Sequence, residues 1–294
     1  NFFLSISGGN LGRSVANAHT TFKIIEVLFM FPCTPLVVAL TEKIIPGEDQ
    51  KVHHNELQYI TEISLKSPAT MIPQAKNELK RMADMAQENL DRSIKGFLNQ
   101  SDEYLNKIYH REEDINNVSH AITDYLVKSN QLSLPLADQK ILGSMFYVVN
   151  DIERIGDHAE NFADYTKTEL KHNTGLTGDA KEEIKKMYEA VSKLLKLSLE
   201  SFMAQDGVNT QEDKLAEIAA LEASIDKMER RYQKHHIKRL AKGDCEPRAG
   251  LLFSDMLSEL ERIADHSVNI AYSMSDEDED EMLAAENEAL ATNN

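Results

Sequence analysis

The chain has 294 residues, a formal net charge of -17, two cysteines and no tryptophan. That acidic balance argues against nucleic acid as a partner, because phosphate binding needs clustered Lys and Arg. Cys33 and Cys245 lie far apart and form neither a disulfide framework nor a Cys/His zinc spacing, which suits a reducing compartment.

The chain opens at Asn1 inside an apolar, glycine-containing stretch, which predicts that an upstream part is missing. Residues 1–45 begin with Ser5-Ile6-Ser7-Gly8-Gly9-Asn10, pass through Ala16-Asn17-Ala18-His19-Thr20, and enter an apolar run from Ile24 to Leu40. Counted from Thr20, the run reaches the ~20 residues of a spanning helix, so a membrane helix is expected there. Glu26 is costly in lipid and should face protein or a wet cavity, with Lys23 and Lys43 flanking the run. The rival reading is a buried helix of a soluble domain. No basic start precedes the run, so a cleaved signal peptide is not expected. Residues 46–73 are polar and mixed, and read as a linker with one short helix.

From 74 to 275 the apolar residues recur at spacings of three and four, and Ala, Leu, Glu and Lys dominate. Six helices are predicted, over 74–99, 102–129, 136–170, 179–204, 211–241 and 248–274. Breaks fall at Leu134-Pro135, Asn173 to Gly178, Asp206-Gly207 and Gly243 to Pro247. Nothing in this region alternates like a strand. Residues 276–294 open on the acidic run Asp276 to Glu281 and are expected to be disordered.

The third and sixth predicted helices carry a repeat. Residues 153–161 read Glu-Arg-Ile-Gly-Asp-His-Ala-Glu-Asn, and residues 261–269 read Glu-Arg-Ile-Ala-Asp-His-Ser-Val-Asn. The apolar stripe matches as well: Val148, Ile152, Ile155, Ala159 and Phe162 against Met256, Leu260, Ile263, Ser267 and Ile270. In the second and fifth helices Ile115, Val118 and Ile122 correspond to Ile225, Met228 and Tyr232. A three-helix unit has been duplicated. The expected fold is all-α, with two pseudo-repeated three-helix bundles preceded by a membrane helix.

The doubled Glu-Arg-Ile-x-Asp-His-x-x-Asn segment, each copy ending a three-helix unit, resembles the signature of PhoU proteins. Upstream, Gly12-Arg13-Ser14-Val15-Ala16-Asn17-Ala18-His19-Thr20-Thr21-Phe22 and the run after it resemble the end of the membrane domain of bacterial sodium–phosphate cotransporters. Several of those carry a PhoU-like domain at their C-terminus. Lys23 departs from the Asn expected after Phe22, which leaves the transported anion open.

Glu153 and Asp157 are four apart and share one helix face, and Glu261 and Asp265 repeat the arrangement. The fifth helix adds Glu222 and Asp226, so four carboxylates converge in the second half and suit a hard or borderline cation. The resemblance implies metal clusters, divalent or trivalent, held by such pairs. The first half offers Glu112 with Asn116, one carboxylate fewer, and is expected to bind a cation less tightly. The alternative for all of them is a solvated acidic face. His158 and His266 read as hydrogen bonders at the core edge rather than ligands. Asn161 and Asn269 either bond a neighbouring helix or line the site. Asp151 with Arg154, and Glu259 with Arg262, read as local ion pairs. Lys234, His235, His236, Lys238 and Arg239 form a small basic patch, read as a solvated face with phosphate as a lesser option.

No phosphate loop or activated nucleophile points to an enzyme. Two functions are weighed. In the first, the chain ends a transporter that moves sodium and inorganic phosphate through the missing membrane domain, with Ser5, Ser7, Asn10 and Asn17 near the pathway. The bundle would regulate uptake from the cytoplasmic side of the inner (plasma) membrane, with a homo-oligomer open as a further partner. In the second, the chain is a soluble PhoU-like adaptor for a separate transporter or signalling kinase.

Overall fold

The computed structural model of the protein describes residues 11–44, 57–61, 68–172, 176–204 and 208–273. These form helices α1 (Leu11–Ile44), α2 (Pro68–Leu98), α3 (Leu105–Asn130), α4 (Leu136–His172), α5 (Gly178–Met203), α6 (Val208–Lys242) and α7 (Pro247–Tyr272). No strand occurs among the described residues. The chain divides into two compact units, Asn1–His53 and His54–Asn294.

In the first unit, α1 carries Phe22, Ile24, Ile25, Val27, Leu28 and Phe31 with their side chains exposed. Glu26 accepts a 2.7 Å hydrogen bond from Lys23 one turn away, so the carboxylate expected to be costly in lipid has a cation beside it. Asn17 lies on this helix, half-buried, while Ser5, Ser7 and Asn10 lie outside the described residues. Among the described residues no helix is long and apolar enough to cross a membrane. The side chains of Pro35 to Leu40, which would complete the apolar run, lie outside the described ones.

The second unit contains the six expected helices, each within a few residues of its predicted range. The largest difference is at the start of α2, which begins at Pro68 and runs through Pro73 instead of starting at Gln74. Proline near a helix N-terminus removes few ladder bonds and brings its φ already set, so it does not end the helix there. Ahead of it, Glu78 accepts the backbone N–H groups of Gln58 and Tyr59 at 2.8 and 2.7 Å, and Ile60 is buried in the core. The other boundaries have local causes. Thr177 caps α5 by accepting from the Ala180 N–H. Pro247 occupies the first turn of α7. Gly243, with φ of 74°, turns the chain out of α6 while its own N–H and that of Asp244 bond back to Leu240 and Arg239.

Helices α2, α3 and α4 pack on one another, as do α5, α6 and α7, and the two groups join through α4 on α7 and α2 on α5. One continuous apolar core runs through both. The predicted stripes of α4 and α7 are buried along their whole length. The single polar member, Ser267, gives its hydroxyl to the Ile263 carbonyl at 2.6 Å and so enters the core with its donor satisfied. Met228 is the one predicted core residue of α6 left only partly buried.

Candidate functional site

The repeated segments of α4 and α7 cross at the join between the two three-helix groups. His158 on α4 bonds through Nδ1 to Glu259 on α7, a contact buried on both sides. Asn161 Nδ2 donates to the same carboxylate at 3.2 Å, and the Tyr165 hydroxyl donates to its other oxygen at 3.2 Å. The reciprocal contact runs from α7 to α4: His266 Nδ1 meets Asp151 at 2.8 Å, and Asn269 Nδ2 donates to it at 3.4 Å. The two imidazole rings lie 5.6 Å apart between these pairs. Each half thus uses the His and Asn of its motif to hold an acid of the other half. Burial alone would raise the Glu259 carboxyl, but the hydrogen bonds and charge of His158, with Asn161 and Tyr165, hold it below the usual carboxylate range.

This corrects the reading of Asp151 and Glu259 as local ion-pair partners. Asp151 and Glu259 are not spent on Arg154 and Arg262, since each turns inward to a histidine of the other half. Arg154 donates instead to Asp157 at 3.3 Å. Asn161 and Asn269, left open between two roles, bond the neighbouring helix. The signal for Asp151 and Glu259 was present in the sequence: each sits two residues before the Glu of its motif, at the same place in both copies.

The predicted carboxylates lie on the opposite side of these helices. In the first half Glu112 of α3 is only 3% exposed, and neither carboxylate oxygen has a hydrogen-bond partner. It sinks in where Gly156 of α4 offers no side chain; a Cβ there would stand 2.7 Å from Glu112 Oε2. Burial, followed by the charges of Asp157, Glu160 and Glu153, pushes its pKa up to about 8. Glu153 and Glu160 are also raised, first by burial and then by neighbouring acids that include Asp157.

The second half differs. Ala264 stands where the first has Gly156, and Glu222 and Glu261 remain half-buried with Asp265 exposed. Asp226 is occupied by Arg230 at 2.9 Å. Glu222, Glu261 and Asp265 are raised first by burial and then by one another's charges or that of Asp226. Glu229, absent from the sequence reading, joins this group and is raised by burial and by Asp226. Asn116, one turn along α3 from Glu112, is half-buried. Among the described residues no group of three or more His, Cys, Asp or Glu side chains is arranged to hold a metal ion. The two oxygens of Glu112, in a slot that Gly156 leaves open, are buried acceptors without a hydrogen-bond donor.

The family model for the PhoU domain matches residues 79–166 and 184–274. A phosphate-specific transport system accessory protein PhoU homolog from Clostridium acetobutylicum is 23% identical over 199 residues, covering 67% of this chain and 87% of the relative. PhoU homolog 1 from Thermotoga maritima is 20% identical over 196 residues, covering 66% of this chain and 82% of the relative. In fold, the chain is similar to PhoU from Pseudomonas aeruginosa, with a TM-score of 0.60 at 20% identity over 68% of this chain and 93% of that one. It is similar also to the regulatory protein PhoU from Streptococcus pneumoniae, with a TM-score of 0.61 at 20% identity over 71% and 97%. Together with the doubled motif on α4 and α7, the matched residues lead to one conclusion: this chain belongs to the PhoU domain family.

Proposed function

We propose that this chain is a regulator of phosphate transport, acting as a PhoU-like adaptor on a transport system rather than as an enzyme. The observation that carries this reading is the family match across both three-helix groups, since the curated relatives are accessory proteins of phosphate-specific transport systems. The reciprocal His–acid contacts support it physically, because they couple two halves that a partner could bias together. Labelled-phosphate uptake in cells lacking their own PhoU protein tests it. Expression of this chain should lower uptake at high external phosphate, and unchanged uptake would sink the reading.

A second reading keeps the same regulatory domain but attaches it to a sodium–phosphate cotransporter in the plasma membrane, with the bundle on the cytoplasmic face. The exposed apolar side chains of α1 favour it, since such a surface calls for lipid or protein cover. Recovery of the expressed chain in membranes after a high-salt wash would support this second reading. Release into the soluble fraction would leave the adaptor alone.

In either case we propose a divalent or trivalent cation in the first half, held by Glu112 with Glu153 and Asp157. A bound cation would supply the positive charge that the unpartnered oxygens of Glu112 lack. Counting carboxylates ranks the second half first, but depth reverses that order. Glu222, Asp226 and Glu261 are half-buried and Asp265 is exposed, so none lies as deep as Glu112, and they gain less from a cation.

A further inference from the structure

One groove on the surface of α6 is lined by Lys227, Arg230, Arg231, Lys234, His235 and Lys238, with no acidic side chain among them. In a chain of 49 acidic and 32 basic residues, this stripe runs against the overall charge. Arg230 shares Asp226, and His235 shares Glu183. Lys227, Arg231, Lys234 and Lys238 are exposed and have no carboxylate partner among the described residues. Arg231 lies over the Tyr232 ring, 5.7 Å from its centre, which holds the guanidinium in place.

The internal repeat shows that the fold does not require this stripe. On the same register, α3 carries Asn117, His120, Ala121, Asp124, Tyr125 and Lys128 at the matching positions. Ala121 and Tyr125 are buried, and the other four leave the equivalent helix of the first group with almost no positive charge. Like charges one turn apart repel by a few tenths of a kcal/mol per pair, so the stripe is a local cost that an anion would relieve.

We propose that this stripe binds closely spaced phosphate groups. Cations one turn apart over about 16 Å of helix match several phosphates in a row better than a single one. Arginine interleaved with lysine suits oxygens on tetrahedral phosphorus, by planar fork and by point charge. Two sources share this chemistry, a soluble phosphate chain and the headgroups of an anionic lipid surface. The stripe borders the carboxylates of the second half, where Arg230 shares Asp226, and its ligand does not depend on regulation of transport.

The test uses the full chain and the variant Lys227→Gln/Lys234→Gln/Lys238→Gln, compared by circular dichroism to establish equal folding. Tripolyphosphate binding is measured by calorimetry, with inorganic phosphate and poly-L-glutamate as comparisons. Vesicle binding is read as the gain on passing from phosphatidylcholine to equal parts of phosphatidylcholine and phosphatidylglycerol, which removes the contribution of apolar α1. Tripolyphosphate binding at least about tenfold tighter than inorganic phosphate, and at least about tenfold weaker in the variant, establishes a soluble phosphate-chain site. An anionic-lipid gain lost in the variant, without tripolyphosphate binding, assigns the site to a membrane surface. Poly-L-glutamate bound as tightly as tripolyphosphate would overturn the phosphate assignment in favour of an acidic protein segment. Binding that is absent from both arms, or equal in wild type and variant, would overturn the site itself. Neither result would bear on phosphate uptake.

Discussion

The two three-helix groups are copies of one unit, yet they bury their carboxylates to different depths. In the first, Gly156 leaves a slot into which Glu112 sinks, losing water and gaining no partner. In the second, Ala264 fills the matching place, and Glu222 stays nearer the surface. The reciprocal clasps are unequal in the same sense. His158 and Glu259 are buried and reinforced by Asn161 and Tyr165, whereas His266 and Asp151 are wetter and have one longer helper bond. Duplication preserves the framework; burial decides which copy carries the demanding group.

The largest loss of stability should come from breaking the buried clasp. Glu259→Gln leaves His158 without its anion and should cost about 3 kcal/mol near neutral pH, as for other buried pairs that lose one partner. Asp151→Asn at the wetter clasp should cost about 1 kcal/mol. Chemical denaturation of both variants would break the comparison if the two costs were equal. Because the folded Glu259 carboxyl lies below its ordinary value, its contribution is present above the unfolded pKa and fades as the pH falls through the folded one.

Glu112→Gln should act in the opposite direction. Its folded pKa of about 8 lies above the ordinary value, so the wild type is fully stable below the unfolded pKa and loses stability as the pH rises toward 8. In the absence of metal the variant should gain up to about 5 kcal/mol over wild type at alkaline pH and nothing near pH 4. Melting curves across that range check it. A gain that did not grow with pH would show that Glu112 is not an unpartnered acid.

Exchanging the small residues sharpens the same point. Gly156→Ala would push its Cβ toward Glu112 Oε2 and expel the carboxylate, at about 1 kcal/mol of strain offset in part by rehydration. Its pH dependence should flatten toward that of Glu112→Gln, whereas Ala264→Gly should show only the usual helix cost of about 1 kcal/mol. The smallest effect is expected at Asn269→Ala, a few tenths of a kcal/mol, because its bond to Asp151 is long and exposed.

Much of this fold is legible in the sequence, because period and repeat survive translation into structure. The stripe from Val148 to Phe162 and its copy in α7 are buried as spacing predicts, and the breaks at Pro135, Gly178 and Gly243 end or begin helices. The site is less legible. Helical spacing places Glu153 and Asp157 on one face, but it cannot tell which carboxylate is submerged, since that depends on a glycine one helix away. It also assigned Asp151 and Glu259 to nearby arginines, because partners three residues apart are visible in sequence and partners 115 or 101 apart are not. Of the predicted linker over 46–73, residues 46–56 and 62–67 lie outside the described residues, as does the acidic tail from 276.

The inequality of the two halves is tested most directly by metal-dependent melting of three proteins: wild type, Glu112→Gln and Asp265→Asn. Each is stripped with chelator and then titrated with a divalent and a trivalent cation. The expected result is a cation-dependent rise in melting temperature that Glu112→Gln abolishes and Asp265→Asn largely retains, because among the described residues the buried carboxylate without a partner is Glu112 of the first half. A rise retained in Glu112→Gln and lost in Asp265→Asn would contradict it, and would return the cation to the more numerous carboxylates of the second half.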